Sequence, residues 1–430
     1  MLRDTLPLRA HLEKDFWLRA FDRDPLVSWQ HHSISTSPRT PATGSRHNTA
    51  RMALLLLLFV LLRFTTGAGA GAEPPRSPAT ALFVLGDSTV GCAATASSIL
   101  PLNLTTTAAL PSSLSGGPCL FFPAARRRIP DLLSARMGLP SPPPISALNG
   151  TSSEAARGVN FGGGGGQLFS SVFRMGAVGQ QVRLASETLQ LLHLEASGPG
   201  EWESSAVFVL SFGADAYARL LARGPAEADA AAPKHGRRGF ARLLADRVAR
   251  AVSELYEAGV RRVAVMGVPP LGCAPRVMWE RIPTRDGGCV EEANELIEAY
   301  NAKLAARLDD LRPQLAGADI VFCDVYKGMM EIISNPSTYG LEETMEACCG
   351  LGPLRATVGC VSKEMACATP ERHVWWDLYS PTEAADALVA NWSWTSSSDS
   401  GAAGAAGATS ICGPISLQQL AGRSPPPAEV

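Results

Sequence analysis

Four short apolar runs, separated by stretches long enough to hold helices, constrain this chain more than any other feature. They lie at residues 81–85, 206–211, 262–267 and 319–323. Short runs bounded by turn residues and apolar nearly throughout suit strands buried on both faces. Amphipathic spacing predicts helices over 177–196, 240–258 and 291–311, one in each gap, and another around 129–137. Strand and helix in alternation argue an α/β fold: a parallel sheet covered on both faces. A single domain over 73–423 accounts for all of them. With 46 % apolar and 18 % charged residues, the chain has the material for one sizeable core.

The first run ends in Gly86-Asp87-Ser88. Ligands of open α/β sheets bind at the carboxyl ends of strands, so Ser88 is a candidate nucleophile if a base and an oxyanion hole come from elsewhere. The competing role is to cap the following helix. The glycine run at 162–166 has no Gly-Lys-Ser/Thr after it. It fits no GxGxxG register either, because Gln167, Leu168 and Phe169 occupy the third-glycine positions. A nucleotide cradle is therefore not indicated; such glycines suit backbone N–H groups that approach a ligand oxygen. Near the C-terminus, Ser380-Pro381-Thr382-Glu383 reads as a capping box with Pro381 at the first helical position. Asp377 precedes it, where a carboxylate could orient an imidazole.

A net charge of −2 gives no electrostatic reason to expect nucleic acid or an anionic membrane as partner. Residues 52–62 form an apolar block between Arg51 and Arg63, followed by alternating Gly and Ala at 67–72. This predicts a signal peptide over 52–72, since eleven residues are short for a transmembrane helix of roughly 20. Met52 is then the expected start and residues 1–51 an upstream extension; a signal anchor with a short cytoplasmic tail is the alternative. No span is expected in the mature chain. All ten cysteines follow this segment, which favours disulfides. Cys348, Cys349, Cys360 and Cys367 cluster in a loop-like stretch, with no CxxC pair or suitably spaced histidine for zinc. Sequons at Asn103, Asn149 and Asn391 are expected on surface loops. Residues 396–409 read as a linker, Cys412 as a tie that brings the C-terminal segment back, and 424–430 as a tail.

Several further motifs follow in order: 158–161 (Gly-Val-Asn-Phe), 265–273, 289–294, 335–340, 347–350 and Trp376-Asp377. Over about residues 80–420 the chain resembles the plant GDSL-type esterases and lipases, a secreted branch of the SGNH hydrolases. The resemblance implies a three-layer α/β/α flavodoxin-like fold with its site at the carboxyl ends of the strands. It implies a serine carboxylic-ester hydrolase that needs no cofactor or metal and works through an acyl-enzyme. Ser88 would be the nucleophile and Asp377 the orienting acid. Backbone N–H groups of Ser88 and of Gly164 or Gly165 would form the oxyanion hole. The substrate would be a small acyl ester, a lipid or an acylated polysaccharide, in the cell wall or apoplast.

Two departures fall on the chemistry. The family's Asp-x-x-His is matched by Asp377, Leu378, Tyr379 and Ser380, and its oxyanion asparagine by Asp215. A carboxylate there would repel developing negative charge unless protonated. After the nucleophile block, Gly91-Cys92-Ala93 stands in place of Asp-x-Gly-Asn-Asn. Losing a triad base costs on the order of a million-fold in turnover, and losing one oxyanion donor roughly a hundred- to a thousand-fold. Of the remaining histidines, His193 falls on a helix and His235 among basic residues. His373, four residues before Asp377, is the one histidine that could substitute as base; a water held by Ser380 and Asp377 is the other candidate. Two readings stand: a hydrolase with a substitute base, or a degenerate relative that binds an acylated polysaccharide or lipid.

Overall fold

All four runs are strands in the computed structural model, which describes residues 78–91, 127–148, 152–163, 176–195, 205–223, 236–280, 288–360, 362–395 and 410–422. Strands β1 (Leu82–Gly86), β2 (Val207–Ser211), β3 (Arg262–Met266) and β4 (Asp319–Cys323) pair in parallel, in that order. Successive side chains point to opposite faces. Phe83, Leu85, Phe208, Leu210 and Val265 enter one core. Leu82, Val84, Val207, Val209 and Met266 enter the other. Both faces are apolar, which is why these strands read as continuous runs.

One part of the sheet left no such run. Residues 157–161 lie along the outer edge of β1, where Val84 N donates to Val159 O at 2.9 Å and Phe161 N to Val84 O at 2.8 Å. The bridge between Val84 and Asn160 is parallel. Counting this segment second along the chain, the parallel members of the sheet follow the spatial order 2-1-3-4-5, the flavodoxin-like winding. The winding reverses between β1 and β2, so the expected crevice lies over the carboxyl ends of those two strands.

Besides the short helices Ser152–Ala155 and Pro275–Trp279, the helices among the described residues are α1 (Ile129–Arg136), α2 (Gly176–Glu195), α3 (Ala214–Arg223), α4 (Gly236–Glu257), α5 (Glu291–Leu311), α6 (Val325–Ser334), α7 (Glu383–Trp394) and α8 (Leu417–Leu420). Val182, Tyr217, Val248 and Leu304 place α2, α3, α4 and α5 on one face. Leu133, Met329, Val389 and Leu417 place α1, α6, α7 and α8 on the other. This is the three-layer α/β/α arrangement.

Some expectations are corrected. The sheet is not wholly parallel: β5 (Cys412–Gly413) pairs antiparallel with β4. Helix α7 is capped by Thr382, whose Oγ1 accepts from Ala385 N at 3.2 Å, and not by Ser380. Ser380 is held outside the helix, because its carbonyl accepts from Trp376 N at 2.7 Å and Trp375 bridges to Pro381. Glu383 turns instead to Arg127, whose Nε donates to it at 2.8 Å. Asn391 lies on α7 rather than on a loop, and its Oδ1 accepts from Arg136 Nη2 at 3.0 Å. Gly164, Gly165, Asn103, Asn149, His235, the apolar block at 52–62, the linker and the tail lie outside the described residues. Cysteine pairs join Cys273 to Cys289, Cys323 to Cys412, Cys348 to Cys367 and Cys349 to Cys360.

Candidate active site

The chain turns sharply as it leaves β1. At Gly86 a Cβ would lie 2.5 Å from both Ser211 O and Val90 Cγ2, so no side chain fits. Asp87 N then donates to Ser211 O at 2.9 Å, anchoring the turn to the end of β2. From α2, the buried Gln181 grips the same residue: Oε1 accepts from Gly86 N at 2.8 Å and Nε2 donates to Gly86 O at 2.9 Å. Ser88 is thereby delivered, partly exposed, to the end of the sheet where the winding reverses.

There Ser88 meets a carboxylate. Its Oγ donates to Asp215 Oδ1, and its N–H donates to Asp215 Oδ2 at 3.3 Å. Asp215 stands in the first turn of α3. Asp87 Oδ2 accepts from Gly213 N at 2.8 Å and Asp215 N at 3.2 Å, at the N-terminus of the same helix. Asp87 Oδ1 takes the Thr89 hydroxyl at 2.8 Å. Gly213 has φ +129°, and a Cβ there would lie 2.7 Å from Val268 Cγ2 and 3.0 Å from the Tyr300 ring. Asp215 thus faces Ser88 across the β1–β2 crevice, while the Asp87 carboxylate braces the N-terminus of α3.

Burial, followed by repulsion from Asp215, pushes the Asp87 carboxyl up to about 6, against hydrogen bonds from Thr89 and the Asp215 N–H that favour the charged form. The sign follows from linkage. A carboxyl raised above its ordinary 3.8 holds a proton in the folded chain between about pH 6 and 4. Its contribution to stability therefore grows as pH falls through about 6 and is lost as pH rises, by up to ~3 kcal/mol. Thermal unfolding is expected to show a higher melting temperature at pH 5.5 than at pH 7.5, with the difference flattened in Asp87→Asn; a parent indifferent to pH over this range would contradict it.

The other candidates sit in a second segment. Arg276, which follows the loop leaving β3, donates its N–H to Leu378 O at 3.2 Å, setting residues 377–380 at the same end of the sheet. Tyr379 packs against both cores there. The Asp377 carboxylate, however, serves its own turn: Oδ1 accepts from Tyr379 N at 3.1 Å and Ser380 N at 2.8 Å. His373 is held in the cross-linked loop before it. Its Nδ1 lies 3.0 Å from Thr369 O, to which it donates, and 3.6 Å from Cys367 Sγ. The ligand atoms of Cys348, Cys367 and His373 cluster within 4.8 Å, but both sulfurs belong to one disulfide, so no thiolate is left to hold a cation. His193 is exposed on α2.

The structure thus brings Ser88 and Asp215 together and keeps Asp377 and His373 on hydrogen bonds of their own segment. Sequence reasoning missed two positioning residues, Gln181 and Asn160. Asn160 Nδ2 donates to Val90 O at 2.8 Å while its Oδ1 accepts from Gly162 N at 2.8 Å, joining the Ser88 turn to the glycine run. A buried glutamine on an otherwise apolar helix face was the signal for Gln181.

The model of the GDSL-like lipase/acylhydrolase family matches residues 82–393. Among curated proteins, the chain is similar to GDSL esterase/lipase At5g55050 of Arabidopsis thaliana, 29 % identical over 79 % of this chain and 92 % of that protein. It is also similar to GDSL esterase/lipase 7 of the same plant, 26 % identical over 79 % of this chain and 94 % of its relative. The family match begins with β1 and closes within α7, spanning the winding and both segments that meet at the carboxyl end of the sheet, and on that ground the chain belongs to the GDSL-like lipase/acylhydrolase family.

Proposed function

We propose that this chain is an exported carboxylic-ester hydrolase with Ser88 as its nucleophile. The observation that carries this is the Ser88 hydroxyl, partly exposed at the switch point of the sheet and hydrogen-bonded to a carboxylate. Family membership and relatives named esterase/lipases support the reaction class. The substrate is an acyl ester: a small ester, a lipid or an acylated polysaccharide of the cell wall. Ser88 N–H, with Gly164 or Gly165, supplies the oxyanion donors. Asp377 braces the turn that carries Ser380. Four disulfides among the described residues support an oxidising compartment, and with it the leader at 52–72 and glycosylation at Asn103, Asn149 and Asn391. No helix among the described residues is long and apolar enough to cross a membrane.

The test is covalent labelling with a fluorophosphonate. The purified mature chain is expected to be labelled at Ser88, and Ser88→Ala to lose the label entirely. A second reading, binding of an acyl ester without hydrolysis, is favoured by Ser380 in the histidine position and by the engagement of Asp377 within its own loop. A folded parent that resists labelling until Ser380→His is introduced would establish that reading instead.

A further inference from the structure

We propose that Asp215 is the general base of this site, taking the proton of Ser88 in place of an imidazole. The inference rests on the hydrolase reading above. The Ser88 hydroxyl donates to Asp215 Oδ1, and the second carboxylate oxygen takes the Ser88 N–H at 3.3 Å. Base and nucleophile are therefore already in hydrogen-bond contact, the geometric condition for general-base catalysis. Asp215 is held in place from the other side: its own N–H donates at 3.2 Å to Asp87 Oδ2, which also takes Gly213 N at 2.8 Å. Neither alternative is hydrogen-bonded to Ser88: His373 Nδ1 donates to Thr369 O, and Asp377 Oδ1 accepts two N–H groups of its own turn.

The chemistry balances. The Ser88 O–H bond breaks, its proton passes to Asp215 Oδ1, and Oγ bonds to the ester carbonyl carbon while the π pair moves to the carbonyl oxygen. Collapse of that oxyanion re-forms the carbonyl and expels the alkoxide. The alkoxide takes the proton from Asp215 and leaves as an alcohol, with the acyl group on Ser88. Water then gives a proton to Asp215 and its oxygen attacks the acyl carbon. Ser88 departs with the proton returned from Asp215, and a carboxylic acid is released. The transfer also resolves the electrostatic conflict at this position. Asp215 becomes neutral at the moment negative charge develops on the carbonyl oxygen, and Ser88 N–H is freed to donate to it.

A carboxylate base has a distinct pH signature. Unperturbed carboxyls titrate near 4 and imidazole near 6.5. The titratable groups that face Asp215 or its partner are Asp87, from the turn after β1, and Tyr300, from α5, whose phenol is kept neutral by burial. With Asp215 as base, the pH profile is unchanged in His373→Gln, whereas an imidazole-dependent site falls at least ten-fold between neutral pH and pH 5 and loses that limb with its histidine.

The experiment measures the rate of fluorophosphonate labelling and of p-nitrophenyl acetate hydrolysis between pH 4.5 and 8. It compares the parent, Asp215→Asn and Ser88→Ala, with thermal unfolding to show that each is folded. Asparagine keeps the shape and an acceptor oxygen for Ser88 but cannot take the proton. Asp215→Asn is expected to lose at least 100-fold in both rates. Equal or faster labelling of a folded Asp215→Asn would overturn the proposal and leave Ser88 as the nucleophile, whereas a folded parent that never labels would defeat the hydrolase reading itself. If Asp215→Asn does not fold, the parent's profile decides. A profile that His373→Gln leaves unchanged supports Asp215; a limb near pH 6.5 that disappears in His373→Gln overturns it.

Discussion

Gly158→Ala is expected to destabilise the protein by at least about 4 kcal/mol, at the upper end of what a point substitution does. Gly158 has φ +119°, and a Cβ there would lie 2.0 Å from Leu82 O. Backbone strain alone costs roughly 1–3 kcal/mol. The clash adds to it, because Leu82 belongs to the buried β1 and cannot retreat without opening the sheet. The segment that would move is the edge bonded to β1 through Val159 and Phe161, which also carries Asn160 to the nucleophile turn. Gly340 provides the control: its φ is +73°, but nothing lies within 4 Å of its Cβ position. Gly340→Ala should lose only about 1 kcal/mol. Urea unfolding of the two variants measures the difference; equal losses would contradict the close approach at Gly158.

Replacing Cys323 and Cys412 together with alanine is expected to cost about 4–5 kcal/mol. This disulfide spans a sequence separation of 89, and chain-entropy arguments assign about that much to a loop of this length. β5 pairs with β4 at only two positions, supported by Asp324 N donating to Ile411 O at 2.7 Å and Ala79 N to Ala421 O at 2.8 Å. The buried Ile411, Leu417 and Leu420 then depend on the cross-link to stay in the core. The variant should become sensitive to proteolysis between residues 410 and 422 before it unfolds globally. Opening Cys349–Cys360, with a separation of only 11, should cost about 3 kcal/mol by the same argument. Denaturation of both double variants tests the order, and a smaller loss at Cys323–Cys412 would refute it.

How far the sequence could be read follows from the range of each interaction. The strands β1 to β4 were legible because burial on both faces needs apolar residues at nearly every position, and α5 because its amphipathic period is set by residues three and four apart. The edge segment at 157–161 was not legible. It opens on a glycine and places only Val159 and Phe161 in the core, so it shows no apolar run. The Ser380–Glu383 pattern misled because a local signature was outweighed by the bridge from Trp375 to Pro381.

The nucleophile position shows the same division. The sequence by itself determined that Ser88 follows a buried apolar run that stops at a glycine, and that no histidine follows Asp377 at the family's spacing. Those are properties of neighbouring residues. Only the tertiary structure decided that the serine hydroxyl faces Asp215, 127 residues further along the chain. It also decided that His373 and Asp377 are engaged in turns of their own. The partner of a hydroxyl is set by which strand ends pack side by side, and that depends on the winding of the whole sheet rather than on any local pattern.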